Sequence, residues 1–243
     1  MSGYSVVPVV GLPELRAGDD LAALILDRID LEDCDVVVVA QKAISKIEGR
    51  VVRLDDIEPS ARASEIASDG SDPRRIQAIL GEARRVVRIR PPLVICETHH
   101  GFICASAGVD ASNAPEPEML VLLPHDPDAS ASRLRDALRE RTGHDVGVIV
   151  TDSFGRPWRQ GTTDVAIGAA GVEVLRDLKG ERDPVGYELH ATVIAVADEI
   201  AGAAQLVSGK LDRIPVTIVR GLDVRGEGRA TDIPVPPERD LFR

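Results

Sequence analysis

The sequence predicts an α+β fold with mixed, largely antiparallel sheets and packed helices. Segments with strand character are numerous and do not alternate strictly with helical segments, as they would in a regular doubly wound fold. The chain has 243 residues, 44% of them hydrophobic, and is long enough to bury a sizeable core. No repeat, linker or shift in composition marks a boundary, so we expect a single domain over 1–243.

Strands and helices in the first part of the chain follow from apolar runs and capping residues. YSVVPVV (4–10) is expected to be an extended edge segment. A helix is predicted over 18–30, whose first residues include two aspartates suited to the N-cap. DVVVVA (35–40) is a β-branched run typical of a strand buried on both faces. Residues 41–54 are expected to be a polar loop or strand end followed by a short strand.

The middle of the chain predicts two helices and then short strands. One helix covers about 59–68, and the other lies in 72–86, where Asp72 caps and Pro73 takes the first helical position. The strands expected after them lie at 85–90, 93–97 and 102–106. A Gly-, Asn- and Pro-rich loop is expected over 107–118.

The second half contains a well-marked helix at 126–143, with Asp126 capping it and Gly143 ending it. The strand 145–152 delivers Asp152 to its C-terminal end, and the stretch TDSFGRPWRQG (151–161) is expected to be a loop. The remaining predicted elements are a buried strand at 119–124, a helix in 191–210 with a possible strand at its start, a strand at 214–221 and a loop-like tail at 226–240.

The charge and cysteine content exclude several classes of function. A net charge of -11 disfavours binding to nucleic acids or to anionic membrane surfaces, although local cations or metals still allow a small phosphorylated ligand. Three cysteines without a C-x-x-C pair fit reduced thiols. No apolar run approaches 18 residues, and the N-terminal stretch lacks a basic region and a long apolar core, so we expect no signal peptide and a cytoplasmic protein.

The common nucleotide-binding motifs are absent from the sequence. The nearest match to the Walker pattern is GAAQLVSGKL (202–211), whose glycines are too far apart and whose Leu211 replaces the hydroxyl residue. G-x-G-x-x-G, G-x-S-x-G and H-E-x-x-H are also missing. Any nucleotide must therefore bind to a different, non-Walker fold.

Acidic residues on two separate segments suggest a site for a hard cation. GVDASN (108–113) places Asp110 and Asn113 on one turn, and Asp152 and Ser153 follow a buried strand. Carboxylate, hydroxyl and amide oxygens from two segments are ligands suited to Mg²⁺ or Mn²⁺. The alternative is that these residues only form turns and bond to local backbone.

Basic residues near these acids admit a functional and a structural interpretation. Arg156 and Arg159 flank the only tryptophan, Trp158, and can bind phosphate or carboxylate, or they can be solvated around a packed indole. Lys42 and Lys46 form a solvated face or point at a phosphate.

The predicted late helix carries polar residues in an otherwise apolar stretch. Asp198 and Gln205 share one face and need partners if they are buried, of which a metal is one candidate. Lys210 at its end is directed at a phosphate or is a favourable charge at the helix C-terminus.

Taken together and in this order, the segments resemble the coenzyme F420-0:L-glutamate ligase family. The matching stretches are GLPE (11–14), QKAISKIEGR (41–50), GVDASN (108–113), TDSFGRPWRQGTTDVAIGAAG (151–171), DPVGYELHAT (183–192), ADEIAGAAQLVSGK (197–210) and VRG (219–221). The resemblance covers nearly the whole chain, and the G-R-P-W-R-x-G-x-x-D-x-A-I-G run is long and specific.

The resemblance implies a GTP-dependent ligase that joins L-glutamate to coenzyme F420-0 or its dehydro form and then adds further γ-linked glutamates. It also implies two divalent cations, potassium, and an intertwined homodimer of unusual mixed fold. Some members carry a second, nitroreductase-like domain, which we expect to be absent here. The alternatives are a metal-dependent amide ligase or phosphotransferase acting on another carboxylic acid, and a non-catalytic nucleotide or deazaflavin carrier.

Carried over position by position, the resemblance implies that Asp110 and Asp152 hold the first metal and that Ser153 and Gln205 help to hold the second. Catalysis is expected to depend on the two aspartates, with Arg156 and Arg159 neutralising substrate carboxylates or phosphate. The residues implied for the GTP site are Leu12, Pro13, Glu14, Leu15, Gln41, Lys46, Asn113, Ala203, Ala204, Gln205, Leu206, Val207, Ser208, Gly209 and Lys210.

Overall fold

The fold is α+β, as the sequence predicts, and consists of several mostly antiparallel sheets with packed helices. The computed structural model describes residues 3–241, apart from the side chain of Asp69. Residues 1–2 and 242–243, which belong to the domain expected over 1–243, lie outside the described residues.

The strands are β1 (Ser5–Pro8), β2 (Val36–Ala40), β3 (Val51–Arg53), β4 (Ala83–Arg90), β5 (Leu93–Thr98), β6 (Ile103–Ala105), β7 (Met119–Val121), β8 (Gly147–Arg156), β9 (Arg159–Ala170), β10 (Arg176–Asp177), β11 (Val193–Ile194) and β12 (Val216–Arg220). The α-helices are α1 (Leu21–Leu26), α2 (Gln41–Ile47), α3 (Ala61–Ile66), α4 (Pro73–Glu82), α5 (Pro127–Thr142) and α6 (Val196–Ser208). Within the described part of the chain, none of the helices has the length and apolarity needed to span a bilayer.

A five-stranded sheet forms the centre of the fold, with the strand order β1–β12–β2–β8–β9. In this sheet β2 and β8 run parallel, with Ala40 opposite Thr151, and the other neighbours pair in antiparallel fashion. Because parallel strands point their C-terminal ends to the same side, the chain leaving Ala40 emerges beside the residues that follow Thr151. The smaller sheets are β4–β5–β6, β3–β7 and β10–β11.

Strand β2 shows why the central strands have continuous apolar sequences. Val37 and Val39 pack into a core on one face, together with α1 and α5. Val36 and Val38 pack into a second core on the other face, together with α6. Each position therefore buries a side chain, which stabilises the fold by about 1.5–3 kcal/mol for a fully buried aliphatic residue. A third apolar cluster joins α3 and α4 to β5.

The outer strand β9 is covered by acceptor side chains from two helices. Three of its backbone N–H groups donate to side chains of α5 and α6. The pairs are Asp164 to Gln205 at 3.0 Å, Ala166 to Asp198 at 2.9 Å and Ala169 to Asp128 at 2.8 Å. These bonds satisfy the backbone and protect an edge at which another strand could otherwise pair. The partner that Asp198 and Gln205 were expected to need is thus the backbone of β9.

Helix boundaries agree with the predictions where a local cap marks them. Asp20, Asp72 and Asp126 each accept a hydrogen bond from a backbone N–H in the first turn of α1, α4 and α5, respectively. Gly143 ends α5 with a φ of 76°, a conformation that favours glycine.

Two predictions of local structure are wrong. Residues 41–47 form α2 instead of a loop or strand end, because the helix follows β2 directly and its N-cap, Ala40, gives no side-chain hydrogen bond that could mark its start. The stretch 151–161 is a hairpin instead of a loop, since β8 and β9 extend through it and turn at Pro157–Trp158. Trp158 has a φ of 57°, at a turn position where glycine is usual.

Replacing Asp128 by Ala should destabilise the protein by about 3 kcal/mol or more, because it leaves several buried donors without an acceptor. Asp128 is 4% exposed, and its carboxylate accepts from the N–H groups of Ala169 and Ala230 and from the Thr231 hydroxyl at 2.8, 2.9 and 2.9 Å. Urea unfolding measures the change. Asp136, exposed on the same helix, is the matched control, and its alanine variant should stay within about 0.5 kcal/mol of the wild type. Equal effects at both positions would contradict this role.

Candidate functional site

The Lys42 side chain joins two distant segments of the chain. It lies on α2, and its Nζ donates to Asp110 Oδ2 at 2.6 Å and to the backbone oxygen and hydroxyl of Ser112 at 2.8 and 2.6 Å. The side chain is only 14% exposed, so the interpretation of Lys42 as part of a solvated face is wrong. Helix α2 starts where β2 ends, and the last residue of β2 lies opposite Thr151. Lys42 is therefore near Asp152, the residue after Thr151.

Asp110 is held in its ionised form by hydrogen-bond donors from its own turn and from a segment distant in the sequence. A backbone bridge to Val121 fixes its position, and the N–H and hydroxyl of Ser112 donate to its carboxylate at 2.8 and 2.7 Å. Burial alone would raise its pKa, but the hydrogen bonds from Lys42 and Ser112 outweigh burial and lower the pKa to about 2. Asn113, on the same turn, is exposed and has a φ of 55°.

Asp152 has the opposite electrostatic character. Loss of water around it, together with the negative charge of Asp164, raises the pKa of its carboxyl to about 7. The Ser153 N–H and the charges of Lys42 and Lys210 act in the other direction but do not compensate. Lys42 therefore hydrogen-bonds Asp110, and its positive charge also acts on Asp152, so that one ammonium influences both aspartates predicted as metal ligands.

A second group of predicted residues surrounds Asp164. Its Oδ1 accepts from the Ser153 hydroxyl at 2.6 Å, and its backbone N–H donates to Gln205 Oε1 at 3.0 Å. Lys210 Nζ donates to the Ser153 hydroxyl at 3.3 Å. The end of α6 thus lies against the β8–β9 pair and places Gln205 and Lys210 beside Ser153.

Sequence reasoning assigned no role to Asp164 and left Lys42 undecided. Asp164 stands in the G-x-x-D part of the specific motif, but its role depends on its position directly opposite Ser153 in the β8–β9 pairing, which no local sequence pattern shows. We refer to Lys42, Asp110, Asp152, Ser153, Asp164, Gln205 and Lys210 together as the carboxylate cluster.

Other predicted residues form a separate group along α2. Lys46 pairs with Glu14, which brings the 12–15 segment to this helix. Leu15 is buried in the core, and Pro13 is exposed. Gln41 is 1% exposed, its Oε1 accepts from the Ser45 hydroxyl at 2.8 Å, and within the described residues its Nε2 has no hydrogen-bond partner.

The remaining predicted residues do not all face one site. Arg156 and Arg159 lie opposite each other at the exposed tip of the hairpin, and Arg156 Nη2 donates to the Gln160 backbone oxygen at 3.0 Å. Among residues 3–241, neither arginine forms an ion pair with a carboxylate of the carboxylate cluster. In the 203–210 segment, Ala204 is buried in the core and Leu206 is 88% exposed.

The donors of the carboxylate cluster suit a hard divalent cation. Its three carboxylates, one hydroxyl and one amide offer oxygen ligands, as Mg²⁺ and Mn²⁺ prefer. In residues 3–241, no three or more His, Cys, Asp or Glu side chains are grouped closely enough to hold a metal ion by themselves. Mg²⁺ usually takes one or two carboxylates together with water and substrate phosphates, so an incomplete set of protein ligands fits it.

The cysteines show no sign of nucleophilic chemistry. Cys34, Cys96 and Cys104 are free thiols. Burial, and next the charge of Asp152, raises the pKa of the Cys104 thiol to about 12, which keeps it protonated at neutral pH.

Replacing Asp152 by Asn should stabilise the cation-free protein at pH 8. The folded carboxyl has a pKa of about 7 against an ordinary value of 3.8, so the folded state binds the proton more tightly and wild-type stability falls as the pH rises between these values. Because asparagine does not ionise, the variant avoids this loss. Its free energy of unfolding should exceed that of the wild type by about 1–3 kcal/mol at pH 8 and by less at pH 5. Urea unfolding in EDTA measures both. A gain that does not grow with pH, or one equalled by Asp136→Asn, would contradict the raised pKa.

Comparison with known proteins agrees with the resemblance found in the sequence. The family model described as F420-0:Gamma-glutamyl ligase matches residues 10–221. A protein of Methanopyrus kandleri named coenzyme F420:L-glutamate ligase is 46% identical over the full length of both chains. A relative of the same name from Methanothermobacter thermautotrophicus is 42% identical over 99% of both chains. Another, from Archaeoglobus fulgidus, is 46% identical over 98% of this chain and 96% of its own. The chain therefore belongs to the F420-0:gamma-glutamyl ligase family.

Proposed function

We propose that this protein joins L-glutamate to coenzyme F420-0, or to its dehydro form, at the expense of GTP, and then adds further glutamates through γ-linkages. The family match and the names of the relatives support the acceptor and the amino acid. The observation that carries the proposal is the position of the Lys42 ammonium, where β2 ends beside β8. It hydrogen-bonds Asp110, and its charge acts on Asp152.

A carboxylate does not form an amide in water because its leaving group is poor, and phosphorylation solves this problem. In the proposed first step, an acceptor carboxylate oxygen attacks the γ-phosphorus of GTP, the bond to the β-phosphate oxygen breaks, and GDP leaves. In the second step, the glutamate amine attacks the acyl phosphate carbon, loses a proton and expels inorganic phosphate. Both steps require reactants held in line and negative charge neutralised on the phosphoryl oxygens.

We assign the first of two divalent cations to Asp110 and Asp152, and the second to Ser153 and Gln205 with the same cluster. Bound Mg²⁺ or Mn²⁺ would supply positive charge to the oxygens of the transferred phosphoryl group. Lys42 and Lys210 add fixed positive charge to the cluster, since both lower the pKa of Asp152. Burial is the main cause of the raised pKa of Asp152, and a bound cation would offset this cost by favouring the ionised carboxylate.

We place GTP along α2 and the end of α6. The residues proposed for this site are Leu12, Pro13, Glu14, Leu15, Gln41, Lys46, Asn113 and the 203–210 segment. The unpartnered Gln41 Nε2 supports a polar ligand near α2, because a buried amide without an acceptor is costly. Arg156 and Arg159 are proposed to bind anionic substrate groups, and the active form is proposed to be a potassium-dependent homodimer.

The test is a ligation assay with GTP, L-glutamate and F420-0, with Mg²⁺ or Mn²⁺ present or absent. We expect products heavier by one or more glutamyl units, together with GDP, only when a divalent cation is present. Mass spectrometry of the product and chromatography of the nucleotide measure both. Binding of GTP without release of GDP would instead indicate a carrier, and GDP release with no glutamylated F420-0 would indicate a different acceptor.

In the same assay, Asp152→Asn should reduce turnover by about a hundredfold or more while the unfolding transition remains cooperative, because a ligand for the cation and its charge are lost. Asp136→Asn removes a carboxylate from the surface of α5 and should keep wild-type turnover. Near-normal ligation by the Asp152 variant would remove this residue from the proposed metal site.

A further inference from the structure

A largely apolar pocket of about 270 Å³ lies beside β8 and β9, next to the carboxylate cluster. One side is formed by the chain entering β6, a second by β8 and β9, and a third by the C-terminal tail after residue 232. The lining residues that matter here are Phe102, Phe154, Val165, Ala166, Asp198 and Val235.

The pocket and the carboxylate cluster share the same two strands and the same helix. Phe154 and Val165 line the pocket. Val165 lies opposite Asp152 of the cluster in the β8–β9 pairing, and Phe154 is two residues from Asp152 along β8, on the same face. The N–H groups of Asp164 and Ala166 bond to Gln205 and Asp198, so α6 runs along β9 from the cluster to the pocket. Two residues along a strand span about 7 Å. A small molecule bound in the pocket is therefore close enough to reach the carboxylate cluster with its other end.

The chemistry of the walls suits a flat aromatic ring with a hydrogen-bond donor on its edge. Phe102 and Phe154 pack edge to face, with ring centres 6.4 Å apart, and offer aromatic and aliphatic surface for stacking. One oxygen of Asp198 accepts from the Ala166 N–H at 2.9 Å. Burial raises the pKa of this carboxyl despite that bond, so a further N–H donor would stabilise its charged form.

We propose that this pocket binds the fused-ring end of the ligase acceptor, a deazaflavin, and that Asp198 accepts a hydrogen bond from the ring's imide N–H. The inference rests on the proposed function, and it adds the position of the acceptor. A deazaflavin offers what these walls recognise, namely a flat fused-ring surface and an N–H edge. L-glutamate has no apolar surface to match them. The guanine ring of GTP also has a flat face and an N–H edge, but the residues proposed for GTP do not line the pocket.

The third wall of the pocket is formed by a part of the chain that the family model does not cover. The family model ends at residue 221, and the tail lines the pocket with residues between 233 and 240. The tail is fixed just before this wall, because buried Asp128 binds the backbone N–H of Ala230 and the hydroxyl of Thr231. Sequence changes in the tail are therefore expected to alter acceptor binding without touching the cluster.

Two substitutions in the full-length protein test the proposal. Val235→Trp should fill the pocket and is expected to fold, because Val235 is 55% exposed. Asp198→Asn keeps an oxygen to accept from the Ala166 N–H but loses the second carboxylate oxygen. Equilibrium dialysis with F420-0, without GTP, measures acceptor binding, and the same experiment with GTP and Mg²⁺ measures nucleotide binding.

We expect F420-0 binding to weaken at least tenfold in Val235→Trp and at least fivefold in Asp198→Asn, with GTP binding within twofold of the wild type. Val185→Trp, at a valine that is 89% exposed and does not line the pocket, is the matched control and should bind F420-0 normally. Wild-type F420-0 affinity in both pocket variants would overturn the proposal.

The outcome separates this inference from the proposed function. A wild-type protein that binds F420-0 in a manner sensitive to both variants but never glutamylates it supports the pocket and contradicts the ligase reaction. A wild-type protein that ligates glutamate to F420-0, with pocket variants of unchanged KM for F420-0, supports the reaction and contradicts the pocket.

Discussion

The parallel pairing of β2 with β8 is the constraint on which the candidate site depends. It places the end of β2 opposite Thr151, so that α2 starts beside Asp152 and carries Lys42 into the same region. The bridge between Asp110 and Val121 then fixes the third segment. One ammonium can act on two carboxylates from remote parts of the sequence only because these three backbone arrangements hold at the same time.

The two aspartates show how surroundings separate groups of the same type. Asp110 is surrounded by donors and stays ionised, whereas Asp152 lies in a less solvated place beside another acid and has a raised pKa. The ionised form of Asp152 is therefore costly in this less solvated place, within a chain whose net charge is already -11. Such a site gains from binding a cation, and a cation would in turn favour the binding of phosphate oxygens. The acidic surface and the proposed use of a nucleotide are thus compatible.

Local signals in the sequence were sufficient for part of the fold and of the site. The caps Asp72 and Asp126 predicted α4 and α5 because a cap acts within one helical turn. Helix α2 carries no such cap, and β9 is polar and glycine-containing and is ordered by its pairing with β8, so neither was predicted. Asp110 and Asp152 were chosen from loop and strand-end positions, whereas the role of Asp164 depends on cross-strand register, which no local pattern contains.

The proposed metal site requires Asp110 and Asp152 to bind the same divalent cation beside Lys42. Anomalous diffraction from crystals grown with Mn²⁺ and GDP tests it most directly. We expect an Mn²⁺ peak within coordination distance of carboxylate oxygens of both Asp110 and Asp152. A structure with bound GDP whose Mn²⁺ peaks lie away from both carboxylates, or touch Asp110 without Asp152, would contradict it.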